Sequence, residues 1–347
     1  MKSFLSRLQL EKDNGMISSQ IFEEMSSAYT SYLENCLSEK ITTEWIDQQF
    51  TIYLDLIKKE LSDPFQFSCF QKKITTPFNY EQFGIDFTRP LLNKSLSGVL
   101  YQENIDKITA QIAAGDNVIL LVNHQSELDP MCIQLLLEDK HASLINDMIC
   151  VAGHRVVSDP LSKPFSLGFN LLFIHSRRYI NTNPEKKEEK IIHNQRAIKT
   201  LRNLLQDGSK LLFVAPAGGR DRIDPITKKM SVSEFDPTSI EMFRLLGNDC
   251  CKKIHFYPVA LLTFNILPPP MEIRTAIGEP RFLEKDGIWL ACGSEEEMLL
   301  DRLKHPRGSL SNTERNKLRQ EQAKILQQRV VELYQEIYKL KEDIQSL

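Results

Sequence analysis

The fold is decided by residues 118–130, which read VILLVNHQSELDP. The first five residues are apolar and mostly β-branched, and polar residues follow them at once, so they predict a buried strand. Pro130 suits the first turn of a helix and Asp129 suits its N-cap, so a helix should begin directly after the loop. His124 is therefore expected where a strand ends and a helix begins, the usual place for chemistry in an open α/β sheet.

His124 and Asp129 carry the chemistry of this stretch. A spacing of five does not place them on one helix face, but a loop can fold the carboxylate back onto the imidazole. A carboxylate held against one ring nitrogen fixes the tautomer and leaves the other nitrogen to accept a proton. The alternative is that Asp129 only caps a helix and His124 is structural, and the spacing alone does not decide between the two.

Alternating strand and helix patterns from about residue 100 predict an α/β fold. The sheet should be mixed but mainly parallel, with helices on both faces. The predicted strands are 118–122, 148–151, 171–174, 210–214, 254–262 and 271–277. The predicted helices are 104–114, 131–138, 185–205 and 239–246, with a short helix or turn at 160–168.

The two ends of the chain are predicted to be helical. Residues 1 to about 62 have apolar residues at helical spacing, which predicts a small all-helical bundle domain over 1–72, ahead of an α/β domain over 73–347. Aromatic residues between 65 and 87 are expected to seal the bundle onto the α/β domain rather than to form a ligand platform. Residues 311–314, which read SNTE, form a capping box. The apolar seam after them predicts a long helix that docks onto its own domain, in preference to an intermolecular coiled coil.

Composition bounds the function. A chain of 347 residues with a net charge of −3 is not basic enough to predict nucleic-acid binding. No secretory signal and no apolar run of about 20 residues is evident, so we expect a cytoplasmic protein. The seven cysteines are scattered without a C-x-x-C pair, which favours a reducing compartment and no metal site. No nucleotide-binding or nucleophile-elbow motif is present, so no bound cofactor is expected.

Two other predicted strand ends carry arginines. HSRRY (175–179) follows one strand and includes Arg178, and APAGGRDR (215–222) follows another and includes Arg220 and Arg222. Guanidinium forks suit phosphate, and two glycines let the backbone approach a ligand. The alternative is that the arginines form surface salt bridges with neighbouring acidic residues. Three such loops at one edge of a sheet would place a base beside an anion site.

This combination of groups predicts an acyl transfer. A phosphate-bearing alcohol anchored by Arg178, Arg220 and Arg222 could place a hydroxyl beside His124. The histidine would remove the proton as the oxygen attacks an activated acyl carbon. No serine or cysteine nucleophile is evident, so direct transfer from a thioester is expected, without a covalent acyl-enzyme.

The chain resembles the plastid-type soluble glycerol-3-phosphate acyltransferases over nearly its whole length. The H-x-x-x-x-D box within 123–130 and the block 215–222 carry the resemblance. Further matches are VAGHRV at 151–156, DPLSKPFS at 159–166 and PPP at 268–270. The resemblance implies transfer of a fatty acyl group from acyl-acyl-carrier protein or acyl-CoA to the sn-1 hydroxyl of glycerol 3-phosphate, giving 1-acyl-sn-glycerol 3-phosphate.

The resemblance also implies roles for individual residues. His124 would be the base and Asp129 would orient it, while Arg220 and Arg222 would bind phosphate. Arg178 and Tyr179 occupy the positions of a basic pair in the plant members and complete the implied phosphate site. His154 stands where the plant pattern has an aspartate, and we expect it to be structural.

The expected partners follow from this chemistry. They are glycerol 3-phosphate and an acyl-carrier protein or CoA thioester, used by a monomer that contacts membranes only transiently and peripherally. Two alternatives remain open, a lysophosphatidate sn-2 acyltransferase and a non-catalytic scaffold that binds an acyl carrier. The absence of a membrane-embedded segment in the sequence argues against the first, and the histidine box argues against the second.

Overall fold

The protein is described from a computed structural model. The structure describes residues 3–176, 180–181, 184–224, 226, 228, 230–270, 280–299 and 310–346. The strand expected at 271–277 lies outside these residues.

The described chain alternates strands and helices after an all-helical start. The strands are β1 Phe70–Gln71, β2 Gly98–Leu100, β3 Asn117–Val122, β4 Ile149–Ala152, β5 Asn170–Phe173, β6 Leu211–Val214, β7 Arg222–Ile223, β8 Met230–Ser231, β9 Ile254–Leu262 and β10 Trp289–Cys292. The α-helices are α1 Phe4–Asp13, α2 Ser19–Cys36, α3 Thr43–Ser62, α4 Tyr80–Thr88, α5 Gln102–Ala113, α6 Asp129–Asn146, α7 His154–Ser158, α8 Lys163–Ser166, α9 Lys187–Asp207, α10 Pro237–Asn248 and α11 Asn312–Gln345. Short 3₁₀ turns cover Arg89–Leu91, Lys94–Leu96, Pro184–Lys186 and Phe264–Ile266.

Eight of the described strands form one mixed, mainly parallel sheet, which confirms the predicted fold class. Its order is β1-β5-β4-β6-β3-β9-β10-β2. The five central strands, from β5 to β9, are parallel. Strand β1 runs antiparallel to β5 and β10 runs antiparallel to β9, whereas β2 is parallel to β10. Parallel strands present their carboxyl ends at one edge of the sheet. The loops after β3, β5, β6 and β9 therefore open on the same side.

Strand β3 lies in the middle of this sheet and is buried on both faces. Val118, Leu120 and Val122 pack in the hydrophobic cluster that contains α5, α6 and the N-terminal helices. Ile119 and Leu121 pack in the opposite cluster, with α9, α10 and α11. Side chains of a strand alternate between faces, so a run that is apolar at every position is the pattern of a strand covered on both sides.

The N-terminal helices α1, α2 and α3 pack against the α/β region through aromatic residues. Tyr32 of α2 donates a hydrogen bond to the carbonyl of Phe87 (2.8 Å), and Tyr53 of α3 donates one to the carbonyl of Leu161 (2.7 Å). The rings of Tyr53 and Phe165 meet edge to face at 5.2 Å. These aromatics act as packing residues, and the division into two domains near residue 72 stays a prediction.

The C-terminal helix α11 docks onto its own sheet, as expected. Its capping box is formed by Ser311 and Glu314, and Leu326, Val330 and Ile337 are buried against β9, β10 and α10. Among the described residues, no helix combines the length and the apolar character needed to cross a bilayer.

We expect Leu326→Ala to lower the free energy of unfolding by about 2–5 kcal/mol, because it removes a fully buried side chain and leaves a cavity. Leu245→Ala on α10 is the matched control, since Leu245 is 46% exposed and its truncation should change stability by roughly 0.5 kcal/mol or less. Urea denaturation of both variants measures the difference. Equal stabilities would show that the packing of α11 contributes nothing to the fold.

Candidate active site

The loop after β3 meets the loops after β6 and β9 at the carboxyl edge of the sheet. The backbone N–H of Asp221 donates to the carbonyl of His124 (2.5 Å), so the arginine loop lies directly against the histidine box. The backbone N–H of Thr263, which follows β9, donates to the side-chain oxygen of Gln125 (2.9 Å). Two of the three loops that the sequence predicted to converge, those after β3 and β6, are thus in contact, and the chain after β9, which was not predicted, joins them. Residues 177–179 of the third predicted loop lie outside the described residues.

His124 and Asp129 form a pair inside this loop. The ring Nδ1 of His124 lies 2.7 Å from Oδ2 of Asp129. The carboxylate is fully buried, whereas the imidazole side chain is 25% exposed. An ionised carboxylate only accepts hydrogen bonds, so Nδ1 carries the proton and Nε2 keeps its lone pair. The pair therefore leaves Nε2 as the ring nitrogen that can accept a proton.

Asp129 is held in place by three further donors. The backbone N–H of Gln125 donates to Oδ2 (2.9 Å), and that of Ser126 donates to Oδ1 (3.0 Å). The hydroxyl of Thr263 also donates to Oδ1 (2.5 Å). The expectation that Asp129 is the N-cap of the following helix is wrong. Leu128 holds that position and Asp129 is the first residue of α6, because the carboxylate turns back into the loop.

Two buried amides fix the loop to the neighbouring strand. Asn123 exchanges hydrogen bonds with the backbone of Leu261, accepting at 2.7 Å and donating at 3.0 Å, and it also donates to Asp221 (2.9 Å). Gln125 accepts from the N–H groups of Thr263 and Phe264. Beyond the point where β3 and β9 stop pairing, these side-chain hydrogen bonds take the place of backbone hydrogen bonds. The roles of Asn123 and Gln125 were not predicted from the sequence, although their position directly after a buried strand was a signal for them.

Asp221 is a structural residue of the arginine loop. Its carboxylate is fully buried and accepts hydrogen bonds from the N–H of Ser233 (2.8 Å) and from Asn123. Burial raises the pKa of Asp221, and these hydrogen bonds counteract the rise in part. The alternative that neighbouring acidic residues pair with the arginines at the surface is therefore wrong for Asp221, because its carboxylate is buried.

Arg220 lies beside a second carboxylate of the histidine box. Its Nη1 is 3.5 Å from Oε1 of Glu127, and the Arg220 side chain is only 8% exposed. The other Glu127 oxygen accepts hydrogen bonds from Arg281 (3.1 Å) and Ser162 (3.2 Å). Burial alone would raise the pKa of Glu127, but Arg281 and Arg220 lower it to about 2. The site thus places guanidinium groups on the histidine box itself.

Of the other predicted phosphate ligands, only Arg222 lies among the described residues. Arg222 begins β7, and its guanidinium donates to the carbonyl of Pro270. Arg178 and Tyr179 lie outside the described residues. Among the residues that are described, no cluster of three or more His, Cys, Asp or Glu side chains is arranged to hold a metal ion.

His154 belongs to a separate group of rings contributed by α7, α9 and the loop after β5. Its ring lies 5.7 Å from that of His175, which in turn lies 5.0 Å from that of His193. Burial, with the nearby His193 and His154, lowers the pKa of His175 to about 4, and burial also lowers the pKa of His154. His154 and His175 are therefore neutral at pH 7, and the ring of His154 lies against those of Phe173 and His175.

Comparison with known proteins agrees with this geometry. A family model described as acyltransferase matches residues 101–262, which include the histidine box and the arginine loop. A chloroplastic glycerol-3-phosphate acyltransferase of Carthamus tinctorius is 35% identical over 312 residues, covering 85% of this chain and 67% of the relative. Those of Spinacia oleracea (35% over 296 residues) and Cucurbita moschata (36% over 292 residues) align with 85% and 84% of this chain. The chain spans 63% and 65% of the length of these two relatives. The chain therefore belongs to the family of the chloroplastic glycerol-3-phosphate acyltransferases.

Proposed function

We propose that this protein transfers a fatty acyl group from a thioester to the sn-1 hydroxyl of glycerol 3-phosphate. The products are 1-acyl-sn-glycerol 3-phosphate and the free thiol of the carrier. The relatives are named for glycerol-3-phosphate acylation, which supports the same acceptor here. The observation that carries the proposal is the buried Asp129 carboxylate 2.7 Å from His124, on a loop that also contacts Arg220 through Glu127.

The histidine pair supplies the base for this reaction. Nε2 of His124 takes the proton of the sn-1 hydroxyl as that oxygen attacks the carbonyl carbon of the thioester. The imidazolium that forms is stabilised by Asp129 across the 2.7 Å contact. Collapse of the tetrahedral intermediate breaks the carbon–sulfur bond. The leaving thiolate then takes the proton back, and His124 returns to its neutral form.

Guanidinium groups anchor the acceptor in this proposal. Arg220 is mostly buried and lies next to the histidine loop, so it can bind phosphate while the glycerol hydroxyls reach toward His124. Arg222 and Arg178 are proposed as further phosphate ligands and Tyr179 as a hydroxyl donor. Positioning by several such contacts lowers the entropic cost of bringing the hydroxyl to the thioester.

Acyl transfer to radiolabelled glycerol 3-phosphate by the purified protein tests the proposal. Acyl-acyl-carrier protein and acyl-CoA are offered side by side, so the better donor identifies the carrier. We expect labelled 1-acyl-sn-glycerol 3-phosphate with at least one donor. Absence of transfer from both donors by folded protein would contradict the proposed activity and favour a carrier-binding scaffold.

We expect Arg220→Ala to raise KM for glycerol 3-phosphate by roughly 10- to 100-fold, because a hydrogen bond to a charged group contributes about 1.5–3 kcal/mol. KM for the acyl donor should stay unchanged. Arg202→Ala is the matched control, since Arg202 is 46% exposed and pairs only with Asp249 among the contacts described for it. If Arg220→Ala changed donor affinity alone, its assignment to the phosphate would be wrong.

The location of the protein and its membrane contact complete the proposal. All seven cysteines are free thiols and four of them are buried, which favours a reducing compartment such as the cytoplasm.

The lysophospholipid product must reach a bilayer, which favours a transient peripheral contact by a monomer. Sedimentation with liposomes at low salt, with substrates present, tests this contact, and no recovery in the pellet would contradict it.

A further inference from the structure

A buried arginine far along the chain joins the histidine box to the N-terminal helices. Arg281 is 5% exposed. One of its terminal nitrogens lies 3.1 Å from each of Glu127, Asp159 and Ser162, and the other lies 3.5 Å from Glu24 of α2. The nearby carboxylates raise the pKa of Arg281 even though burial opposes this, so the side chain is a permanent cation. One guanidinium therefore connects three separate segments.

The contacts of Arg281 lead in one direction to the phosphate side of the site. Glu127 accepts from Arg281 with one oxygen and faces Arg220 with the other. A carboxylate held between two guanidiniums fixes the position of both when its own backbone is fixed. The backbone of Glu127 is part of the loop that Asp129 closes. The orientation of Arg220 therefore depends on Glu127, and that of Glu127 depends on Arg281.

In the other direction the contacts lead to Glu24, which is 5% exposed on a helix far from the histidine box in sequence. Burial raises the pKa of Glu24 to about 7, and Arg281 lowers it only in part. Such a carboxyl group lowers the stability of the fold, because the free energy lost on its desolvation cancels much of the ion-pair energy. A buried charge that stabilises the fold so little is a candidate for a role in the site.

A second buried ion pair links the same two regions and serves as a comparison. Lys163 of α8 lies 2.9 Å from Glu60 of α3, and both side chains are less than a tenth exposed. Lys163 also donates to the carbonyl of Phe65. None of the contacts described for this pair reaches Glu127 or Arg220. Like the Arg281 contacts, this pair is buried and joins an N-terminal helix to the α/β region, but it has no described connection to the site.

We infer that Arg281 is a positioning residue of the glycerol-3-phosphate site, through which Glu24 on helix α2 holds Glu127 and thereby Arg220. The inference rests on the proposed function, because it concerns the acceptor site of that reaction. It assigns the N-terminal helices a part in binding the acceptor.

Glu24→Gln and Glu60→Gln form the matched pair of variants that tests this inference. Binding of glycerol 3-phosphate is measured by calorimetry without donor, and turnover is measured separately. At pH 8 we expect Glu24→Gln to weaken binding by about 2- to 30-fold, because Glu24 is coupled to the site through a chain of contacts. Glu60→Gln should leave binding unchanged. Arg281→Lys should weaken binding similarly, because a lysine keeps the charge but cannot contact all four partner groups at once.

The pH dependence gives a result that a purely structural role would not produce. Glutamine mimics the protonated carboxyl, so wild type and Glu24→Gln should bind alike at pH 6 and diverge at pH 8, above the pKa of Glu24. The comparison with the variant cancels the titration of the substrate phosphate. The groups that face Glu24, and that are unchanged in the variant, are Gln20, Tyr53, Glu127, Asp159 and Arg281.

The outcomes separate this inference from the proposed reaction. Equal weakening by Glu24→Gln and Glu60→Gln, or no weakening by Glu24→Gln and Arg281→Lys, would overturn the role of Arg281 in the site. Wild-type protein that binds glycerol 3-phosphate but transfers no acyl group would contradict the proposed reaction and leave the binding test intact. Wild-type protein that does not bind glycerol 3-phosphate would overturn both.

Discussion

His124→Ala is expected to lower kcat by a factor of about 10²–10⁴, the usual contribution of a positioned general base. The variant removes the only imidazole that the described structure holds against the buried Asp129. KM for glycerol 3-phosphate should change little, because the ring is placed to contact the reacting hydroxyl rather than the phosphate. Steady-state kinetics with the better donor measure both constants.

The fold should survive this substitution. The His124 side chain is one quarter exposed, and Asp129 keeps its hydrogen bonds from two backbone N–H groups and from Thr263. Thermal unfolding checks this, and His154→Ala is the matched histidine control, since its ring lies against those of Phe173 and His175. Activity within tenfold of wild type in folded His124→Ala would show that another group acts as the base.

The central part of the fold was predictable because its local patterns agree with its tertiary environment. Residues 118–122 are apolar at every position, and the structure buries both faces of β3. The predicted fold class is confirmed, as are the C-terminal helix and its capping box. Helix α6 extends to Asn146, beyond the predicted end at 138, because the chain continues across a kink at His141.

The edge strands β1 and β2, and β10 beside β2, were missed for a different reason. Strands β1 and β2 have two and three residues, too few to show a periodicity of two. Each is a strand because a neighbour pairs with it, as Trp289 of β10 pairs with Gly98 of β2 and with Leu262 of β9. Such pairing depends on contacts between distant parts of the chain, which local patterns do not encode.

The candidate site likewise contains contacts that local sequence patterns could predict and contacts that they could not. The contact between His124 and Asp129 spans five residues and could be anticipated from a loop, although its catalytic role stays a prediction. The contact between Glu127 and Arg281 spans 154 residues and had no local signal. Thr263, which donates to Asp129, was likewise invisible, because only the parallel pairing of β3 and β9 brings it to the loop.

Asp129→Asn is expected to lower kcat by about 10²-fold or more while KM for glycerol 3-phosphate changes little. Asparagine presents one acceptor and one donor, whereas Asp129 accepts from four donors with its two oxygens. If the amide nitrogen faces His124, it accepts no proton from Nδ1 and favours the tautomer protonated on Nε2, which is no base. If it faces Ser126 and Thr263 instead, two donors lose their acceptor.

A stability change accompanies this loss of rate. Each buried donor left unsatisfied costs about 1–3 kcal/mol, so urea denaturation should show Asp129→Asn to be less stable than wild type. Thr263→Val provides the control, because it removes one donor to Asp129 and leaves the charge and the contact with His124 in place. It should lose some stability but keep kcat within about tenfold of wild type, since a single neutral hydrogen bond contributes about 1 kcal/mol.

Together, kcat and the free energy of unfolding distinguish the two roles that the sequence left open for Asp129. If the carboxylate only shapes the start of α6, Asp129→Asn will be unstable but will turn over normally when folded. If it orients the base, kcat will fall far more than in Thr263→Val, even under conditions where both variants are fully folded. The buried position of the carboxylate and its 2.7 Å contact with Nδ1 favour the second result, because a cap that served only the helix would not need to face the imidazole.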